Sequence, residues 1–360
     1  MNTTPTPRDR FKAFSKEYIP MIDSSIHGFL EVKKKDARLP VISDMYGLLE
    51  EYCCREGKRV RPLIMLISCF GYQRGKRRED AVKIASVIEM MHSFLLIQDD
   101  IIDRSELRRG GQSLHMACAG RYGGNSHNRN IGNDIALILA DVLFAAAVEI
   151  LAGSNVPPRV KDRFLRIFSS TYEVTAWGQI LDILHSRSKK IDDPGDASIT
   201  VATMKTAYYT VYYPMLMGYV LAGRNADQEK ELIRDFSLPL GLAFQIRDDI
   251  LGVFGSKEAT GKPSNSDIME GKVTMLINST IEKLKPRERK KFMAIFTKNK
   301  KTGRDVDAIR HMIDASGSRE AVVERHWELV EQSRSLLSRL QLSEEYREIM
   351  TGLVELVAKI

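Results

Sequence analysis

The amino-acid sequence predicts an all-α fold, and three observations predict it. Apolar residues recur three and four positions apart in long segments, Asp80–Asp103, Ile135–Ala152, Arg159–Leu184 and Glu229–Val253, which is the spacing of one helix face. Strict apolar/polar alternation over strand lengths is scarce. The 360 residues are 43% hydrophobic and 28% charged, with 12 Pro against 24 Gly, a globular balance unlike that of disordered, collagen-like or disulfide-scaffold chains. Length alone admits one large domain or two modest ones.

Taken in order, Met1–Phe14 is Thr/Pro-rich and then charged, without the apolar core of a signal peptide. The first 20 residues are expected to form a flexible N-terminus. Breakers at 71–75, 110–132, 153–158, 192–196, 223–225 and 255–266 separate the helical segments. None is long and polar enough throughout to be an interdomain linker, so residues 1–360 are expected to form one helical domain. The Gly/Asn-rich stretch 120–133 reads as a flexible surface loop, and no repeat of fixed period is present. Ile135–Ala152 is the most apolar run, but Asp141 and Glu149 within it mark a buried helix rather than a membrane span.

Four cysteines, Cys53, Cys54, Cys69 and Cys118, form neither C-x-x-C nor a Cys/His metal spacing, and an adjacent pair is awkward to bridge. A reducing, cytoplasmic setting is therefore expected over secretion. With 54 Lys+Arg against 47 Asp+Glu the formal charge is +7, which suits anionic partners and leaves nucleic acid, acidic lipid and phosphorylated metabolites open.

Two segments, Val82–Ile102 and Leu238–Phe254, are apolar nearly all round, the mark of helices inside a bundle. Each nevertheless carries paired aspartates, and burying an unpaired carboxylate costs several kcal/mol. In Asp99-Asp100-Ile101-Ile102-Asp103, residues four apart on a helix are offset by about 40° and by roughly 6 Å of rise, so Asp99 and Asp103 share a face. Their repulsion is relieved by a proton or by a hard divalent cation. A solvated acidic helix end is the bland alternative, and the flanking Phe94–Ile97 and Ile101–Ile102 argue against it. Asp248-Asp249 has the same apolar setting, but the position matching Asp103 is Gly252. Two acidic clusters facing each other across a bundle core would hold several Mg²⁺ ions, which usually share their coordination with substrate phosphates.

Cationic residues complete the pattern. Gly57-Lys58-Arg59-Val60-Arg61-Pro62 sets three basic residues at a helix start, and Arg108-Arg109-Gly110 follows the first acidic motif directly. Guanidinium groups grip phosphate bidentately, and a helix N-terminus adds backbone donors. The runs Arg74–Arg78 and Lys298–Lys301 lack such context and read as solvated surface. Lys205, Lys262, Lys272 and His92, each judged alone, read as ordinary surface charge or a satisfied core histidine.

Taken together, these residues resemble the trans-prenyl diphosphate synthases, the head-to-tail polyprenyl synthetase family, over about Gly57–Thr274. Gly57-Lys58-Arg59 is similar to the family's G-K-R element, and Asp99–Asp103 with Arg108-Arg109-Gly110 to its first aspartate-rich motif. Gly178-Gln179, Lys205-Thr206 and Gln245–Asp249 stand where the family has G-Q, K-T and its second aspartate-rich motif. Gly261-Lys262-Pro263 and Asp267-Ile268 through Gly271-Lys272 resemble its G-K-P and D-x-x-x-G-K segments.

The resemblance implies a bundle around a deep central cavity, usually a homodimer, that condenses isopentenyl diphosphate with an allylic diphosphate. Asp99, Asp103 and Asp248 would ligate Mg²⁺, with Asp100 and Asp249 supporting the geometry. Arg108, Lys205 and Lys262 would bind the allylic diphosphate. Lys58, Arg61, His92 and Arg109 would hold isopentenyl diphosphate with Arg59 adjoining. Thr206 and Lys272 belong to the substrate-binding set, and Gln179 and Gln245 would make polar contacts near the reacting carbons.

The chemistry agrees with the residues. Ionising an allylic diphosphate requires its departing charge to be neutralised, which metals and fixed cations do. No Ser/His/Asp or Cys/His constellation suggests a protein nucleophile. Leu95 and Phe94, four and five residues before Asp99, lie about one turn beneath it, roughly 6 to 8 Å deeper by helix rise. In the family an aromatic residue at the deeper position resembles geranylgeranyl diphosphate synthases, so a twenty-carbon product is expected, with fifteen and twenty-five carbons as alternatives.

Two features depart from the family pattern: Gly252 removes a carboxylate from the second motif, and Gln112 stands where many members have Pro. A class I terpene cyclase would carry an N-D-x-x-S-x-x-x-E motif, which is absent, and would not need the isopentenyl site. A non-catalytic partner subunit would be free to lose Asp99–Asp103, which are intact. Nucleic-acid binding rests only on net charge and scattered basic runs, and buried acidic motifs work against it.

Overall fold

The first helix begins with a capping box. In Thr6-Pro7-Arg8-Asp9, the Asp9 amide donates to Thr6 Oγ1 and the Thr6 amide to Asp9 Oδ2, both at 3.2 Å, so two otherwise orphaned N–H groups are satisfied. Helix α1 then runs Pro7–Asp36, and Phe11, Phe14, Tyr18, Ile22, Ile26 and Leu30 form its buried stripe at the 3.6-residue period. The expectation of a flexible N-terminus over the first 20 residues is thereby corrected from Pro7 onward. The computed structural model describes residues 5–73, 78–124, 128–187, 194–255 and 265–360.

Chain contacts divide the molecule into two compact units. One comprises residues 12–166 and 217–224. It holds most of α1, α2 (Pro40–Cys53), α3 (Val60–Tyr72), α4 (Arg78–Ile102), a hairpin of β1 (Leu107–Arg108) and β2 (Gly111–Gln112), α5 (Leu114–Tyr122) and α6 (Arg129–Ala152). Helix α4 packs on α3 and α6, and α5 packs on α6.

Gly132 makes the last contact possible. A Cβ there would lie 2.3 Å from the His115 carbonyl oxygen, so the glycine serves close helix packing rather than a loop. The expected breaker at 110–132 therefore contains a helix, and the expected loop at 120–133 overlaps α5 up to Tyr122 and α6 from Arg129. Helix α6 is long and apolar enough to cross a membrane by length and composition. Ala136, Leu139, Ala140 and Leu143 on it are buried in the fold.

The other unit comprises residues 1–11, 167–216 and 225–360. It holds most of α7 (Pro158–Arg187), α8 (Pro194–Ala202), a π-helix (Thr203–Tyr212), the start of α9 (Tyr213–Leu221), α10 (Ala226–Phe254) and the short α11 (Ser266–Glu270). Helices α12 (Met275–Lys283), α13 (Pro286–Phe296), α14 (Gly303–Ala315), α15 (Ser318–Leu337) and α16 (Glu344–Ala358) follow. Helix α10 packs against the π-helix and α15, where buried His326 donates from Nδ1 to the Ala243 carbonyl at 3.0 Å.

The all-α expectation holds, and each long periodic segment is a helix. One surface expectation does not hold. Lys301 is buried over the Phe296 ring, with its ammonium 5.5 Å from the centroid, and it donates to the Lys298 carbonyl at 3.1 Å. Lys298 is paired with Asp305. Residues 74–77 of the other basic run lie outside the described residues.

Candidate active site

The first acidic motif closes α4. The Asp103 amide donates to the Asp99 carbonyl at 2.8 Å, so the helical turn carries Asp103 back over Asp99, as their spacing predicts. Asp100, one residue and about 100° further round, points the other way. Its carboxylate is 0% exposed; it accepts from Tyr52 Oη at 2.9 Å and from Arg108 Nε at 2.7 Å. Burial pushes the Asp100 carboxyl upward in pKa, and Arg108 and Tyr52 oppose that shift. Arg108 also reaches Asp99 Oδ2 at 3.4 Å, whose side chain is 19% exposed. Asp100 is therefore the anchor of Arg108, while Asp99 keeps access to a ligand.

Arg109 and Gly110 form the two-residue turn of the β1–β2 hairpin, with φ of 50° and 78°. A turn with positive φ at both central positions matches strand twist but favours Asn or Gly at the first. An arginine held there carries backbone strain of the sort found at functional sites. Its Nη2 lies 3.1 Å from Glu89 Oε1.

Arg59, N-cap of α3, is also left-handed at φ 46°. Its guanidinium is 0% exposed and pairs with Asp23 at 2.7 Å and with Glu89 at 2.8 Å. It also donates to the carbonyls of Cys53 and Arg55 at 3.1 and 2.7 Å. This corrects the expectation of Arg59 as a substrate-binding residue, because its donors are committed inside the fold. Lys58 beside it is exposed, and Arg61 is half-buried.

Arg61 Nη1 lies 3.4 Å from His92 Nε2. Burial, with Arg61, Arg109 and Arg108 nearby, holds His92 well below the usual imidazole range, so the ring is neutral. Gly57 makes room for this set, since a Cβ there would sit 2.9 Å from Arg59 Nη1 and 3.2 Å from Arg109 Cζ. Beneath the motif, Phe94 is buried and its ring meets Phe144 edge-on, with centroids 5.4 Å apart; Leu95 above it is half-buried.

In the other unit the residues predicted from sequence lie on or beside the π-helix, α7, α10 and α11. π-Helices are rare and concentrate at functional sites. This one is clasped by two glycines: a Cβ on Gly178 would lie 2.4 Å from the Lys205 amide nitrogen, and one on Gly241 would lie 2.5 Å from Ala207 Cα. The close approach sets Lys205 Nζ 2.6 Å from Asp182 Oδ2, with Gln179 one turn earlier on α7.

Thr206 Oγ1 donates to Gln245 Oε1, and Gln245 Nε2 donates to Asp249 Oδ1, both at 2.6 Å. This chain fixes which end of the Gln245 amide carries oxygen. Asp249 is buried while Asp248 is exposed. Burial, followed by the neighbouring Asp267 charge, holds Asp249 well above the usual carboxylate range, and the Gln245 bond opposes the shift.

Gly252 lies within α10, two residues before its end at Phe254. A Cβ there would meet Asp267 Oδ2 at 2.2 Å. The space of the missing third side chain is thus filled by a carboxylate from α11. Lys272 pairs with Glu270 at 2.8 Å, and Lys262 lies outside the described residues.

Sequence reasoning did not single out Tyr52, Glu89, Asp23 or Asp182 as site residues, and it named Asp267 only as the start of the D-x-x-x-G-K segment. Asp182 had a signal, standing one turn beyond Gly178-Gln179. Among the described residues no three Asp, Glu, His or Cys side chains are grouped to hold a metal ion by themselves. The donor set fits Mg²⁺ nonetheless, because that ion usually takes one or two carboxylates and completes its sphere with water and phosphate oxygens. Asp99 with Asp103, and Asp248 beside the Asp267-filled space, offer such hard oxygen ligands.

Residues 43–313 match the family model described as polyprenyl synthetase. The chain is 30% identical over 307 residues to a geranylfarnesyl diphosphate synthase of Aeropyrum pernix, covering 84% of this chain and 90% of that one. It is 34% identical over 236 residues to a geranylgeranyl diphosphate synthase of Sulfolobus acidocaldarius, covering 65% and 66%. The crystal structure of a geranylgeranyl pyrophosphate synthase from Corynebacterium glutamicum, complexed with isoprenyl diphosphate and magnesium, matches with a TM-score of 0.89 at 25% identity over 96% of this chain and 99% of that one.

Proposed function

The chain belongs to the polyprenyl synthetase family and is a prenyltransferase, and from that premise we propose that it makes geranylgeranyl diphosphate from isopentenyl diphosphate and a shorter allylic diphosphate. The observation that carries this reading is the division of the first motif, with Asp99 accessible and Asp103 one turn on while Asp100 locks Arg108. Asp99, Asp103 and Asp248 would hold Mg²⁺. When bound, that ion supplies charge neutralisation for the leaving diphosphate. Several ions per site suit the two acidic motifs.

The protein's own groups perform the rest. Arg108 and Lys205 would take oxygens of the allylic diphosphate, Lys205 exchanging its bond to Asp182 for one to phosphate. Lys58, Arg61, His92 and Arg109 would seat isopentenyl diphosphate, with neutral His92 adding polarity without charge. In that reaction the isopentenyl double bond attacks the allylic cation, and the released diphosphate is a competent base for the proton lost. Phe94, locked by Phe144, would end the descent of the tail at twenty carbons.

A homodimer is supported by α6, which exposes Leu137 at 49% and Ile138 at 62%. A reducing, cytoplasmic setting is supported by four free thiols, three of them buried. The test is to incubate purified protein with Mg²⁺, labelled isopentenyl diphosphate and each allylic primer in turn, then size the dephosphorylated products. Twenty-carbon alcohol is expected. No elongation with any primer overturns the synthase reading, and a product that runs on to twenty-five carbons overturns the assignment of Phe94 as floor.

A further inference from the structure

We propose that Glu89 and Arg59 are positioning residues for isopentenyl diphosphate: a buried acid–base chain, Arg59–Glu89–Arg109, fixes the Arg109 guanidinium for that substrate, and Asp23 stands outside it as a stabilising contact of Arg59. The inference rests on the prenyl-transfer reading above. Glu89 is 1% exposed on α4, and a carboxylate so placed needs compensation from every side. Its Oε1 receives two guanidiniums, Arg59 at 2.8 Å and Arg109 at 3.1 Å. Arg59 is a fixed post, held by Asp23 and by the Cys53 and Arg55 carbonyls. Arg109 is the end that faces outward. It is half-buried, it sits at the strained turn of the hairpin, and a guanidinium with five N–H donors retains others for a phosphate after one goes to Glu89.

The alternation of charge makes the chain directional. Without Arg59, Glu89 keeps Arg109 as its charged partner and draws it inward. Without the Glu89 charge, Arg109 loses its orienting contact. Loss of Asp23, outside the chain and partly exposed, leaves the Glu89–Arg109 bond standing. Gly57 belongs to the same device, because a Cβ there crowds both Arg59 and Arg109 without altering any charge. A network serving stability alone would respond equally to loss of any member and would not discriminate between the two substrates.

The experiment measures steady-state KM for each substrate, calorimetric binding of isopentenyl diphosphate, and melting temperature, for the full chain and for Glu89→Gln, Arg59→Met, Gly57→Ala and Asp23→Asn. The first three are expected to raise KM for isopentenyl diphosphate roughly tenfold, the factor given by about 1.4 kcal/mol, with kcat and the allylic KM within about twofold. Asp23→Asn is expected to lower the melting temperature and leave both KM values in place. Should a single buried replacement fail to fold, the Arg59→Gln/Glu89→Gln pair removes both charges together, which is the milder change. It should recover the melting temperature and keep the raised KM.

Unchanged isopentenyl KM in Glu89→Gln and Gly57→Ala, or an equal rise in both substrates' KM, overturns the inference while the parent's own elongation upholds the synthase reading. A parent that neither elongates nor binds isopentenyl diphosphate overturns both.

Discussion

Gly178→Ala adds one methyl group at the crossing of α7 and the π-helix, and the consequence follows from three distances. The new Cβ would stand 2.4 Å from the Lys205 amide nitrogen, 2.8 Å from Lys205 Cα and 2.9 Å from the Met204 carbonyl carbon. All three are backbone atoms, so no rotamer change relieves them. Restoring ordinary contact at 3.4 Å requires the two segments to part by roughly 1 Å. Overpacking of this kind costs about 1–3 kcal/mol, or roughly 1–4 °C in melting temperature for a chain of this size.

The separation also carries Lys205 away from Asp182 and from the phosphate it is proposed to bind. Misplacement by about 1 Å costs up to roughly a hundredfold in rate. Gly28→Ala on α1 supplies the contrast, because a Cβ there meets nothing within 4 Å. It should gain the roughly 1 kcal/mol by which alanine exceeds glycine in a helix and leave the kinetics alone. Scanning calorimetry with primer-dependence kinetics checks both. If Gly178→Ala melts higher than the parent, as Gly28→Ala should, and turns over at the parent rate, the clasped π-helix has no role in placing Lys205.

Three other outcomes are expected. Phe94→Ala removes the ring beneath Asp99 together with its edge contact to Phe144, at a cost of about 3–5 kcal/mol in stability; products longer than the parent's should appear on chromatography, and an unchanged length excludes Phe94 as the floor. Gly252→Asp restores a third carboxylate to the second motif but sets its Cβ 2.2 Å from Asp267 Oδ2, so a slower and less stable enzyme is expected, by about 1–3 kcal/mol in the melt, and a faster one refutes the substitution of Asp267 for that carboxylate. Folding holds His92 below its ordinary 6.5, so its share of stability is complete above that pH and is lost as pH falls toward the folded value, by up to about 1.4 kcal/mol per unit; His92→Gln should flatten that part of the melting-temperature profile, and superimposable profiles contradict it.

How legible these features are in sequence depends on whether their cause is local. Long helices are legible because one face repeats every 3.6 residues, and Asp99 with Asp103 is legible because four residues make a turn. Glycine is ambiguous. Gly132 looks like loop punctuation but permits α6 to touch α5, and Gly178 and Gly241 look unremarkable but clasp a π-helix that no local pattern announces. The stripe Phe11, Phe14, Tyr18, Ile22, Ile26 and Leu30 is periodic, yet the Thr/Pro-rich start before it suggests a tail. Glu89 carries the same tension as the aspartates, a charge between Ile88 and Met90, but a single carboxylate without a neighbour at helical spacing names no chemistry. Its two arginine partners come from other elements, at left-handed positions that arginine seldom adopts.

Helix geometry also explains why aspartates come as adjacent pairs at both motifs. Successive residues on a helix diverge by about 100°, so two neighbouring carboxylates cannot address one ligand equally. At α4 the first, Asp99, stays accessible and the second, Asp100, turns inward to fix Arg108 and Tyr52. At α10 the exposed member is Asp248, and Asp249 turns inward to Gln245, which in turn holds Thr206. Each pair thus separates a ligand-facing carboxylate from one that organises polar neighbours. The third position lies back on the ligand-facing side, because four residues nearly complete a turn. It is Asp103 in one motif, and in the other it is Gly252, where the carboxylate of Asp267 takes the space.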